Sequence, residues 1–196
     1  MKKILSTVLL AVCLNISFAQ SYMGGIGLFG GHSTDINGYS FAEFGFTYSP
    51  RFNFLEKDKF SVSAGIPLGV GFAMGTSSLV YDSYNSTYTS GTAAGVILDV
   101  PVMVNINFGR GSTKSNTDKF GFFGGIGLGL NEQLLVDDSP TNSTASSANI
   151  GPAINGGVRF GIGKRGHKNL EVKLYGMDGI SGAKTVEITG AAIFNF

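Results

Sequence analysis

The sequence is poor in charge, cysteine and long apolar runs, and it has no tryptophan. Only 14% of its 196 residues are charged, and the formal net charge is +1. With no basic surplus to neutralise phosphates, nucleic acid is excluded as a main partner. The one cysteine, Cys13, lies in the leader described below, so the mature chain is expected to hold no disulfide. Val12 is not the small residue that lipidation at Cys13 would need before it. After the leader no stretch is long and apolar enough for a spanning helix, so only a closed barrel of strands could cross a bilayer. What is plentiful is glycine, with 30 residues, and phenylalanine, with 16; the glycines follow no three-residue period, which excludes collagen.

The chain opens MKKILSTVLLAVCLNISFAQ. Lys2 and Lys3 form a basic start, Ile4 to Leu14 an apolar run, and Ser17-Phe18-Ala19 a small-x-small cleavage signal. Residues 1–19 are therefore expected to be a secretory signal peptide and 20–196 the mature domain. Without Lys2 and Lys3, 12 basic residues face 13 acidic ones.

A period of two runs through the mature chain with no competing helical period. It predicts eight strands, at about 21–32, 38–54, 59–75, 92–108, 119–131, 148–162, 169–177 and 184–196. Their even positions are apolar: Phe44, Phe46, Val62, Val100, Val104, Phe122, Ile126, Ile154, Val158, Val172 and Leu174 are examples. Their odd positions are polar, small or ionic, and include Glu43, Arg51, Asp99, Arg159, Glu171, Lys173 and Glu187 with many serines, asparagines and glycines. An eight-stranded interior is just wide enough for side chains to fill, so the large apolar set cannot point inward. Facing lipid, it meets no volume limit, and glycine then makes room for ionic groups in a narrow lumen. The fold class that follows is all-β, an eight-stranded antiparallel up-and-down transmembrane β-barrel. Four carboxylates against three bases imply a filled, ion-paired lumen, because buried charges are tolerable only when paired.

The connections alternate in length. With the N-terminus in the periplasm, the outer loops fall at about 33–37, 76–91, 132–147 and 178–183. The inner turns fall at about 55–58, 109–118 and 163–168, and long outer loops with shorter inner turns are the usual barrel asymmetry. The middle turn, GRGSTKSNTD, is longer than that pattern expects. The inner turns are rich in lysine and arginine, Arg110 among them, whereas Asp35, Asp82, Glu132, Asp137, Asp138 and Asp178 make the outer loops acidic. Tyr22, Phe54, Phe60, Phe108, Phe120, Phe160, Phe194 and Phe196 fall near the inner strand ends, as an interfacial girdle would.

The last residues, TVEITGAAIFNF, form an amphipathic strand with Ile188, Ala192, Phe194 and a terminal Phe196. This ending resembles the assembly signal of bacterial outer-membrane barrels. The whole mature chain is similar to the small eight-stranded outer-membrane barrel family of OmpA and OmpX type. The resemblance implies a Gram-negative outer membrane as the location, insertion by the barrel-assembly machinery, and outer-membrane lipid as the surroundings. It also implies a barrel that stands without a periplasmic domain.

Three features bear on chemistry. Gly25, Gly27 and Gly30 fit the dinucleotide spacing G-x-G-x-x-G, but a strand rather than a helix follows, so no nucleotide site is expected. Gly25, Gly27 and Gly31, with Gly125, Gly127 and Gly129 in the similar stretch GGIGLGLN, are expected to line the lumen and leave space for Arg51, Arg159 and Lys173. His32, Ser33 and Asp35 cluster at one rim, but neighbours on a strand point to opposite faces, so a catalytic pair is not expected. Asp137, Asp138 and Asn142 are too few oxygen ligands for a cation site. The expected function is a non-catalytic outer-membrane barrel, with neither cofactor nor metal. It would anchor loops 76–91 and 132–147 for membrane integrity, adhesion or a surface ligand. The alternatives are a narrow porin-like channel and an outer-membrane lipid-modifying enzyme.

Overall fold

Alternation of bulky and small residues lets one strand face bury side chains while the other meets a different medium. The computed structural model describes residues 21–34, 40–76, 80–82, 87–89, 92–137, 144–163, 168–181 and 184–196. The expected leader lies outside them. Fourteen strands form there: β1 (Ser21–Met23), β2 (Gly25–Thr34), β3 (Ser40–Tyr48), β4 (Arg51–Lys57), β5 (Phe60–Gly65), β6 (Leu68–Thr76), β7 (Val80–Asp82), β8 (Thr87–Thr89), β9 (Thr92–Asp99), β10 (Val102–Gly109), β11 (Phe120–Asp137), β12 (Thr144–Gly161), β13 (Asn169–Asp178) and β14 (Val186–Asn195).

Twelve of these make eight staves. Staves 1 to 4 are the pairs β1/β2, β3/β4, β5/β6 and β9/β10; staves 5 to 8 are β11, β12, β13 and β14. All pairings are antiparallel, and β14 closes the ring on β2 with Val186↔Thr34 through Asn195↔Gly25. The fold is an eight-stranded antiparallel barrel. Ser21 and Asn195 lie at its turn end; the opposite, loop end carries the hairpin of β7 and β8.

The two faces divide as the alternation requires. Phe46 is 74% exposed and Ile126 70%, whereas Arg159 between them in the ring's interior is 2% exposed. One stave changes phase. A bulge between Asn53 and Leu55 puts Phe54 and Leu55 both on the outside and turns Glu56 inward.

Three boundaries differ from the sequence expectation. β11 and β12 pair as far as Val136↔Thr144, so most of the expected loop 132–147 is strand. Its Gln, Ser and Thr residues read as loop, yet Gln133 and Leu134 continue the in-and-out alternation. The expected loop 76–91 contains the short β7–β8 hairpin, in which Tyr81 pairs with Tyr88. Staves 2, 3 and 4 are interrupted at Pro50, Pro67 and Pro101, because proline gives no N–H to a ladder. Val100 lies at such an interruption and is half-buried.

Candidate functional site

The lumen is the only place in the described structure where charged groups gather out of solvent, and it has three levels. At the turn end, Glu171 on β13 lies between two arginines. Arg159 Nε donates to Glu171 Oε2 at 2.6 Å, and Arg51 Nη1 lies 3.6 Å from the same oxygen. Arg159 Nη1 donates to Asn107 Oδ1 at 2.9 Å, and its guanidinium stacks 4.2 Å over the Phe123 ring. Asn195 Nδ2 donates to Glu171 at 3.3 Å and to Asn169 at 2.8 Å. Asn107 Nδ2 donates in turn to Ser63 Oγ at 2.9 Å.

The long middle turn accounts for the closure of this end. Positive φ at Gly109 (67°) and Gly111 (71°) lets the chain fold back into the lumen mouth. Ser112, Thr113 and Asn116 are buried there. Arg51 Nη2 donates to the Gly111 carbonyl at 2.8 Å, and Asn53 Nδ2 to the Ser112 carbonyl at 3.0 Å. The sequence put Arg110 with the solvated inner-turn charges. It is 1% exposed instead, and its Nη2 donates to the Lys168 carbonyl at 2.9 Å. At the rim Lys59 donates to Asp118 at 3.0 Å, which holds the Asp118 carboxyl below its ordinary range.

The waist is apolar, which the odd-position reading did not anticipate. Phe29, Phe41, Ala73, Ile97, Ala191 and Ile193 pack as one cluster, and Met103, Ala153, Tyr175 and Met177 as another. Asp99 and Lys173 border a cavity of about 20 Å³ beside them. At the loop end, Gln133 Nε2 donates to Glu43 Oε1 at 3.0 Å and Ser33 donates to the same oxygen. Asn131 Nδ2 donates to Glu187 Oε2 at 3.1 Å.

The seven expected charged residues are all buried, but they do not form one network. Arg51, Arg159 and Glu171 meet. Among the described residues, no cation lies within 4.0 Å of Glu43, Asp99 or Glu187, and Lys173 forms no ion pair at that distance. The four-against-three pairing is therefore corrected to a single triad. The carboxylates at the loop end are held by amides and a hydroxyl. Asn107 stands inward, as its odd strand position predicts; the sequence left Glu56 in the inner turn 55–58 and missed Gln133 and Asn131, for which the inward phase of their strand was the available signal.

The glycine expectation is also corrected. The space beside Gly25 is taken by Asn195 and Ile193, beside Gly31 by Thr189, and beside Gly125 by Asn105. At Gly127 it is Met103, at Gly129 Tyr175 and Met177, and at Gly27 a Cβ would sit 2.1 Å from the Ala192 carbonyl oxygen. Glycines that do border arginine side chains are Gly111, against Arg51 and Arg159, Gly65, against Arg51, and Gly161, against Arg110. Lumen volume at the first six positions is consumed by uncharged neighbours, one or two strands away.

On the outside, His32 Nε2 lies 3.1 Å from Ser40 Oγ and 3.2 Å from Thr34 Oγ1. Ser33 points inward to Glu43, so His32 and Ser33 diverge. Asp35, Asp138, Asn142 and His167 lie outside the described residues. No group of three metal-ligating side chains occurs among the described ones. At the assembly-signal positions, Ile188, Phe194 and Phe196 point outward, and Phe196 N donates to the Gly24 carbonyl at 2.9 Å across the closing seam.

No protein-family model matches the chain, and no curated protein matches it. Solved structures do resemble it. Ail, the attachment invasion locus protein of Yersinia pestis, is 13% identical over 89% of this chain and 97% of its own, with a TM-score of 0.53. The same protein in complex with the heparin analogue sucrose octasulfate gives 15% identity, the same coverage and a TM-score of 0.51. Neisserial surface protein A is 12% identical over 90% of this chain and 97% of its own, with a TM-score of 0.52. The fold is thus that of the small eight-stranded outer-membrane barrels.

Proposed function

We propose that the protein is a non-catalytic barrel of a Gram-negative outer membrane. Its filled body holds the connections between β6 and β9 and between β11 and β12 at the cell surface, for membrane integrity, adhesion or a surface ligand. The observation that carries this reading is the outward belt of large apolar side chains around a lumen packed with buried polar and apolar side chains. Water cannot satisfy that belt, and a bilayer can. In this reading residues 1–19 are a cleaved signal peptide, outer-membrane lipid surrounds the belt, and the barrel-assembly machinery inserts the chain through the strand ending at Phe196. The turn end then faces the periplasm. Ail carries a sulfated ligand in one structure; the acidic residues Asp82, Glu132, Asp137 and Asp178 around the loop end here favour a cationic partner instead.

The porin-like alternative requires an open lumen. The arginine triad and the tucked turn 109–118 stand against it, as do the two apolar clusters at the waist. The lipid-enzyme alternative requires a base oriented by an acid, and no described carboxylate lies within 4.0 Å of His32.

The direct test is membrane fractionation with heat-modifiable gel migration of the purified protein, followed by single-channel recording. A folded outer-membrane species without steady conductance supports the reading. A soluble species overturns it, and steady conductance replaces it with the channel. Ile126→Arg tests the belt itself: at mid-wall the substitution should cost about 2–4 kcal/mol in lipid vesicles. An unchanged unfolding midpoint would put Ile126 outside the hydrocarbon.

A further inference from the structure

The two ends of the barrel differ in the sign of the charge exposed there. At the turn end Lys57, Lys59, Lys114 and Lys119 are exposed, against Asp58 and the half-buried Asp118. Asp118 is paired with Lys59, and Glu56 is turned inward to Ser21 and Asn53, so neither offsets the remaining lysines. At the loop end Glu132 and Asp178 are exposed, with Lys184 as the base there.

Three of these lysines are fixed to the edge of the wall. Lys57 pairs with Phe60 across its hairpin. The Lys59 carbonyl accepts from Gly109 N at 2.8 Å, and the Lys119 carbonyl accepts from Gly161 N at 2.8 Å. One residue further in, Phe60 meets Phe108 and Phe120 meets Phe160, with ring centroids 5.3 and 5.7 Å apart. Such outward rings mark the level at which hydrocarbon gives way to headgroups. A residue advances about 3.3 Å along a strand. An ammonium on its flexible stem, one residue past the rings, therefore reaches the phosphate layer. The long turn helps, because Arg110, Ser112 and Thr113 are drawn into the lumen mouth. The connection folds in, and Lys59 and Lys119 stay at the level of the rings.

We propose that this rim is a binding surface for anionic phospholipid headgroups, of the phosphatidylglycerol kind, in the leaflet that the turn end meets. Lys57, Lys59 and Lys119 take the lipid phosphates, and the adjoining phenylalanines take the first carbons of the chains. A zwitterionic lipid brings the same phosphate with a positive charge beside it. Selection between the two is therefore electrostatic and weakens with salt. An acidic protein would be drawn to the same bases but has no use for an aromatic ring one residue from each of them. The acidic loop end lacks the lysines, so the selection belongs to one end of the barrel.

The surface rests on the membrane-barrel reading, so each protein is first shown to be folded in vesicles by heat-modifiable migration; failure there concerns the barrel and not the rim. With Cys13 replaced by serine, Leu55→Cys places a bimane label on the outward wall beside Lys57, and Ile188→Cys places one near the loop end; both positions are exposed. In phosphatidylcholine vesicles, quenching of each label by phosphatidylglycerol with brominated chains is compared with quenching by phosphatidylcholine carrying the same chains. At position 55 phosphatidylglycerol is expected to be preferred by about fivefold for each lysine engaged. At position 188 no preference is expected. Lys57→Gln with Lys59→Gln is expected to abolish the preference at position 55, as is concentrated sodium chloride with both lysines in place. Lys57→Gln alone keeps the Lys59 pair with Asp118 and is expected to lower the preference about fivefold. Replacing chloride by inorganic phosphate at equal ionic strength is expected to change nothing further, because a free phosphate brings no chains to the rings. Equal preference at the two positions, a preference unmoved by the lysine variants, or displacement by inorganic phosphate overturns the surface. No preference at position 55, together with a shift of the label's emission by soluble polyglutamate, also overturns it and assigns the rim to an acidic protein.

Discussion

The two ends of the lumen hold buried carboxylates by different means. At the turn end, Glu171 has two guanidiniums, an amide and a stacked aromatic beside them. At the loop end, Glu43 and Glu187 are equally buried but have only Ser33, Gln133 and Asn131. Oε2 of Glu43 and Oε1 of Glu187 have no hydrogen-bond partner. The difference teaches where charge is structural in this barrel. Removing one member of a buried pair strands the other at a cost of several kcal/mol, whereas a buried charge without a counter-ion loses little when it is neutralised.

The comparison breaks most visibly at Arg159. Arg159→Ala leaves Glu171 with Arg51 at 3.6 Å, leaves Asn107 Oδ1 without its donor, and bares Phe123. A loss of about 3–5 kcal/mol is expected, read as a shift of the urea midpoint in vesicles. A shift no larger than that of a surface substitution would mean that the triad is not what secures the turn end.

A smaller effect is expected at the loop end. Gln133→Ala removes the amide that donates to Glu43 and should cost about 1–3 kcal/mol, because a carboxylate acceptor is left short of a donor. A cost equal to that of Arg159→Ala would erase the distinction between the ends.

The smallest effect concerns pH at the rim. The Asp118 carboxyl, held down by Lys59, contributes stability above its unfolded-state pKa and loses it as pH falls through its lower folded value. The turn 109–118 should therefore loosen on acidification, seen as faster exchange of the Arg110 and Ser112 amides. Lys59→Met should remove most of that dependence. An unaltered pH profile in the variant would assign the loosening to another group.

Much of this was legible in the sequence because a period of two survives substitution among apolar residues. Phe46, Ile126 and Leu174 had to face one way and Arg159, Glu171 and Glu187 the other. The strand ends were less legible where polar residues continue the alternation, as Gln133 and Ser146 do. Pro67 and Pro101 were visible, but their adjacency across two staves depends on register, which no single strand encodes. The same holds for pairing inside the lumen. Composition supplied four carboxylates and three bases, but only the stagger of the staves decides that Glu171 meets Arg51 and Arg159 while Glu187 meets Asn131. The long turn GRGSTKSNTD looked anomalous in length, and its inward fold depends on Arg51 and Asn53, far away in sequence.

The most direct measurement is equilibrium unfolding in lipid vesicles of Glu171→Gln and Glu187→Gln, side by side with the unaltered protein. Both changes are nearly isosteric, and both sites are buried. The difference in counter-ions predicts a loss of about 3–5 kcal/mol for Glu171→Gln and a small loss or a gain for Glu187→Gln. Equal losses, or a larger one at Glu187, would contradict it.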